Sequence, residues 1–103
     1  MHIRVISLAS WSAASKIIGM IKKITARLKI DSNLELIIVK TIEEAVKYRH
    51  IGGPTIQING LDIEPEARDV EQFGLAWRKY GVSSIPSEKL IESAIIEATG
   101  KIA

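Results

Sequence analysis

The sequence predicts an α/β domain whose elements run β-α-β-α-β-β-α, with a central mixed sheet flanked by helices. Three observations carry this expectation. Two apolar, β-rich stretches, at residues 3–9 and 33–40, enclose a segment of helical periodicity, which gives a parallel βαβ unit with a right-handed crossover. Residues 52–65, GGPTIQINGLDIEP, read as a hairpin whose strands must join the same sheet. An amphipathic helix follows near the C-terminal end of the sequence.

Each element has its own signals. IRVISLA, from Ile3 to Ala9, is mostly apolar and rich in β-formers, as a buried strand is. From Ala13 to Lys29 apolar residues fall at Ala14, Ile17, Ile18, Ile21, Ile24 and Leu28, one face of a helix, with Lys16, Lys23 and Arg27 on the solvated side. In NLELIIVK the apolar run from Leu36 to Val39 suits a strand covered on both faces. Thr41 and Glu44 have capping-box spacing, which opens a short helix expected to run to His50. Ile56 and Ile58 alternate with polar residues, Asn59-Gly60 is the preferred type I′ pair, and Leu61 and Ile63 resume the alternation. Residues 64–84 carry no decisive pattern. The last helix begins at Pro86 or Ser87, buries Leu90, Ile91, Ala94, Ile95 and Ala98, and stops at Gly100.

Composition sets the class. A chain of 103 residues fits one domain, 1–103, and buries roughly 65% of its unfolded surface, enough for a core without staples. The 14 Lys and Arg against 12 Asp and Glu leave a net charge of only +2, which argues against nucleic acid. No apolar run approaches the ~18 residues of a membrane span, so no membrane partner is expected. The N-terminus imitates a secretion signal, but its apolar stretch VISLA is shorter than the ~7 residues an h-region needs, so the expected compartment is the cytoplasm. The absence of cysteine excludes disulfides and any thiol chemistry by the chain as written. His2 and His50 show no ligand spacing and read as surface residues, so neither a metal nor another cofactor is expected.

SWSAASK, residues 10–16, sits where the first strand hands over to the first helix. In the plainest reading Ser12 is the N-cap, Ser15 a first-turn polar residue, Trp11 a cover for the sheet edge, and Pro54 an ordinary proline at a strand start. As a hydrolase the chain would need a base beside Ser12 or Ser15, and neither histidine lies in a segment that obviously reaches that turn.

Two separated motifs nevertheless carry a resemblance. WSAAS resembles the W-C-x-x-C of the thioredoxin-like superfamily, and GGPTIQING is similar to the segment in which that superfamily carries its cis-proline. The element order is also that of the thioredoxin core, whereas a ferredoxin-like βαββαβ fold would put the hairpin after the first helix and a strand last. GGPTIQINGLDIEP and FGLAWRKYG further resemble small prokaryotic thioredoxin-like proteins that pair a P-T-hairpin-D-I-E-P stretch with a downstream G-L-x-C-R-x-Y. The resemblance implies a single thioredoxin-like domain with Ser12 and Ser15 at the redox positions, Trp77 where the downstream cysteine would be, and Gly53-Pro54 in cis facing the Trp11–Ser15 turn. It further implies that Trp11, Gly53, Pro54 and Thr55 contact a protein or peptide carrying a disulfide or an extended segment.

In that superfamily the helix N-terminus activates the first thiol by favouring thiolate. A serine hydroxyl stays protonated at neutral pH and forms no disulfide. The expectation is therefore a protein of the thiol-disulfide oxidoreductase type, redox-inactive as written, with activity only if positions 12 and 15 are cysteine in the native protein. The alternative is a noncatalytic thioredoxin-fold module that binds peptides or proteins.

Overall fold

A computed structural model of the chain describes residues 1–8 and 12–100, the side chains of Ser12 and Ala13 excepted. It contains β1 (His2–Ser7), α1 (Ser12–Arg27), β2 (Asn33–Ile38), α2 (Ile42–Tyr48), β3 (Thr55–Ile58), β4 (Leu61–Asp62) and α3 (Glu88–Thr99). A 3-10 turn lies at Pro65–Ala67. The strands form one mixed sheet in the order β2-β1-β3-β4, with β1 parallel to β2 and antiparallel to β3, and β3 antiparallel to β4.

Alternation decides which residues meet the helices. Ile3 and Val5 of β1 stand opposite Ile58 and Ile56 of β3, and all four are buried in one cluster with Ile17, Ile21 and Ile24 of α1 and Ile91, Ala94 and Ile95 of α3. Each isoleucine fully buried there contributes roughly 1.5–3 kcal/mol, so the core is held by aliphatic packing rather than aromatic bulk. On the opposite face α2 provides thinner cover: Gln57 donates to Tyr48 O at 2.9 Å, and the Arg4 guanidinium lies over the Tyr48 ring.

Several local expectations hold. Thr41 and Glu44 form a complete capping box. Asn59 and Gly60 both have positive φ, 52° and 85°, as a type I′ turn requires. Gly100 closes α3 in the left-handed region, as expected, while the helix begins at Glu88, one residue past the expected Ser87, which instead caps it by accepting the Leu90 N–H.

Other expectations need correction. β2 is an edge strand, and the helices pack on β1 and β3, so Leu36 is 42% exposed instead of covered on both faces. Ala98 and Leu61 are likewise exposed, because α3 buries only the stripe of Ile91, Ala94 and Ile95, and because β4 pairs through only two residues. The second helix stops at Tyr48, where Arg49 adopts a left-handed φ of 56°, rather than at His50. α1 begins at Ser12 itself, so Ser12 is its first residue rather than the cap before it. On its solvated side, Arg27 pairs with Glu92 of α3 at 2.8 Å and Lys23 with Glu88 at 3.6 Å.

Candidate functional site

The pairing of β1 with β3 sets the site. Ile6 stands opposite Thr55, so Gly53 and Pro54 lie beside the end of β1 from which the chain leaves toward α1. The Gly53–Pro54 bond is cis. Pro54 and Thr55 are buried; Thr55 Oγ1 donates to Gly52 O and accepts the Ile51 N–H. Ser15 is exposed on the first turn of α1. The first four N–H groups of a helix have no partner within it, so the positive end of the dipole lies at this turn. Among the residues expected at the site, the structure thus brings the backbone of Ser12 and the residues Ser15, Gly53, Pro54 and Thr55 to one end of the sheet. Trp11 lies outside the described residues.

The segment that carried no pattern in the sequence completes this end. The Gly53 N–H donates to Ala76 O at 2.8 Å and Gly53 O accepts the Arg78 N–H at 2.9 Å, so Gly53 pairs in parallel with Trp77. One step earlier the Gly74 N–H donates to His50 O at 3.0 Å, and the His50 ring faces Gly74 O through Nδ1 at 2.6 Å. Residues 74–78 therefore run as a strap along residues 50–53. The groups by which Gly53 would pair with an extended peptide are already engaged within the chain.

A buried charge network fixes the far end of the strap. The Arg78 guanidinium grips Asp62 through two bonds of 2.7 and 2.8 Å, reaches Glu64 at 2.7 Å and stacks over the Tyr80 ring at 4.4 Å. Tyr80 in turn donates its hydroxyl to Pro54 O at 2.6 Å. The side chains of Arg78 and Asp62 are each only 8% exposed. Burial works against the Arg78 charge, but the hydrogen bonds and charges of Asp62 and Glu64 outweigh it and hold the guanidinium protonated; burial pushes the Tyr80 hydroxyl well above its ordinary range. Sequence reasoning missed this network, although a signal existed. Asp62 and Glu64, like Arg78 and Tyr80, are two residues apart, and on extended backbone that spacing puts each pair on one side.

His50 also corrects an expectation. It is fully buried, because the left-handed turn at Arg49 sends it beneath the strap rather than to the surface. Its burial lowers the ring's pKa. His2 is partly exposed and pairs with Glu35, whose carboxyl is held below its usual range by His2 and Arg4. It lies at the opposite end of β1 from α1, so it offers no base to Ser15. Among the described residues no cluster of His, Asp or Glu is arranged to hold a metal ion, and no helix is long and apolar enough to cross a membrane. No protein-family model, curated protein or solved structure matches the chain.

Proposed function

We propose that the chain is a thioredoxin-like protein of the thiol-disulfide oxidoreductase type, with Ser12 and Ser15 at the dithiol positions and therefore redox-inactive as written. One observation carries the reading: the β1–β3 register, Ile6 against Thr55, sets Gly53-Pro54 and the first turn of α1 at the same end of the sheet. Residues 12 and 15 are three apart in α1, and helix geometry sets such Cα atoms about 5 Å apart, inside the roughly 4.4–6.8 Å that a disulfide spans. The noncatalytic alternative needs Gly53 to pair with an extended partner. Its N–H and carbonyl are already bonded to Ala76 and Arg78, so an extended partner pairs there only once residues 74–78 move aside, and this holds for either reading.

With sulfur restored, the dithiol would give two electrons and two protons to a target disulfide, closing its own disulfide and leaving two target thiols. The Ser12→Cys, Ser15→Cys double variant is expected to reduce an aryl disulfide and to be recycled by dithiothreitol. Position 12 is expected to be the attacking thiol, with a pKa below the ~8.5 of a free cysteine because of the positive end of the helix dipole and Lys16 within one turn. Ser15→Cys alone should show no turnover. A double variant with no turnover, or with a position-12 thiol that titrates no lower than a free one, contradicts the reading.

A further inference from the structure

The geometry points to His50 as an acid-sensitive latch on the strap: protonation of its ring loosens residues 74–78 from the backbone of Gly53. Gly74 O can only accept, so the Nδ1 that faces it carries the proton and Nε2 is a bare acceptor. That Nε2 is sealed from water and has no hydrogen-bond partner among the described residues. A methyl group built on Gly53 would stand 3.5 Å from Nε2, and 3.4 Å from both Leu8 Cγ and Trp77 Cε3, so Gly53 sits close to the ring nitrogen with Leu8 and Trp77 bordering the same spot, while the strap holds the ring's other side at Gly74 O.

A second proton would have to enter at Nε2, creating a buried cation whose new N–H has no acceptor among the described residues. Among the described residues, the groups packed around it offer no compensation. Leu8 and Gly53 bring no charge, and Ala45 of α2 offers only a carbonyl already bonded to the His50 N–H. Arg49 lies over the Phe73 ring, and Arg78 is bound to Asp62 and Glu64 and acts on His50 as a like charge. No carboxylate among the described residues pairs with the ring. Burial is the largest influence and favours the neutral ring; the bond to Gly74 opposes it and is smaller, and Arg78 adds to it.

The charged ring reaches water by moving whatever covers it. Gly53 and Leu8 adjoin β3 and β1, which are tied into the sheet. The strap lacks regular secondary structure and is bound to residues 50–53 by three backbone hydrogen bonds and the ring, with Leu75 and Trp77 on its exposed side. It is therefore the part that gives way, from the Gly74 end, because Arg78 and Tyr80 clamp the other. Opening bares the Gly53 N–H and carbonyl at the end of the sheet from which α1 starts. Under the reading above those groups border the dithiol positions, but the latch itself does not depend on that reading.

NMR on the full chain tests this without any ligand. The His50 ring resonances are followed from pH 7.5 to 5, together with exchange of the Gly53, Gly74 and Arg78 amides, corrected for the pH dependence of intrinsic exchange. Exchange of these three amides is expected to rise severalfold as His50 protonates, while amides of β1 and α3 stay protected. In His50→Asn, which keeps a side-chain donor near Gly74 O but cannot titrate, the three amides should show no such rise. Strap amides that stay protected while the wild-type His50 titrates, or an equal acid response in His50→Asn, would overturn the latch. So would a His50 ring that stays neutral until the whole chain unfolds, and this outcome needs no variant to fold.

Discussion

Gly52 shows how one residue admits the strap. Its φ of 144° is a conformation that side-chain-bearing residues rarely adopt, and a Cβ there would meet Arg78 Cβ at 2.7 Å. At Gly53 a Cβ would meet only ordinary contacts, at 3.4 Å and beyond. Gly52→Ala is therefore expected to cost about 1–3 kcal/mol in urea denaturation, and Gly53→Ala clearly less. Equal losses for the two would mean that the strap does not press on Gly52. The first of these glycines makes room for the chain's own Arg78, and the second offers its backbone to Ala76 and Arg78. Nothing in the letters GGPT distinguishes the two roles, since both depend on a segment more than twenty residues downstream.

At the scale of elements, α3 lays Ile91, Ala94 and Ile95 on the core shared with α1 and the sheet, and its first turn is tied by the Ser87 cap. Ser87→Ala is expected to lower stability by about 1 kcal/mol, read as a lower urea midpoint at unchanged slope. Although Ser12 is the first residue of α1 rather than its cap, the Thr41–Glu44 capping box was legible in the sequence because its bonds close within three residues. So were the hairpin, fixed by Asn59-Gly60, and the helical face of Ile17, Ile21 and Ile24. What was not legible was decided at long range. The exposure of Leu36 follows from β2 lying at the sheet edge, the burial of His50 from a strap at residues 74–78, and the partners of Asp62 and Glu64 from an arginine sixteen and fourteen residues away. At the candidate site, the sequence supplied Ser12, Ser15, Gly53, Pro54 and Thr55, while the strap that occupies Gly53 had neither periodicity nor turn chemistry to announce it.

For the molecule as a whole, two sets of titrating groups divide its acid response. The folded chain resists protonating His50, whereas the unfolded chain takes up that proton near the ordinary value of 6.5. Below that pH the unfolded state holds more protons, so stability declines as pH falls. Glu35 and Glu97 are held charged in the fold by His2 and Arg4 and by Arg68, so their contribution is intact above the ordinary carboxyl value of 4.5 and is lost below it. The decline between pH 6.5 and 4.5 is thus expected to belong to His50. In a series of urea midpoints against pH, His50→Asn should flatten that interval and leave the lower limb unchanged; a variant that declines in parallel with the wild type would remove His50 from the acid response.

The same whole-molecule geometry carries the functional claim, since the element order and the β1–β3 register put the start of α1 and Gly53-Pro54 at the same end of the sheet. The most direct measurement is a thiol count and intact mass of the Ser12→Cys, Ser15→Cys variant, taken after mild oxidation and again after reduction. A dithiol held at a thioredoxin-type site should close completely within one molecule, with the loss of both free thiols and no dimer, and reopen on reduction. Two thiols that stay free, or that link only between molecules, would contradict it and leave WSAAS as the first turn of a helix.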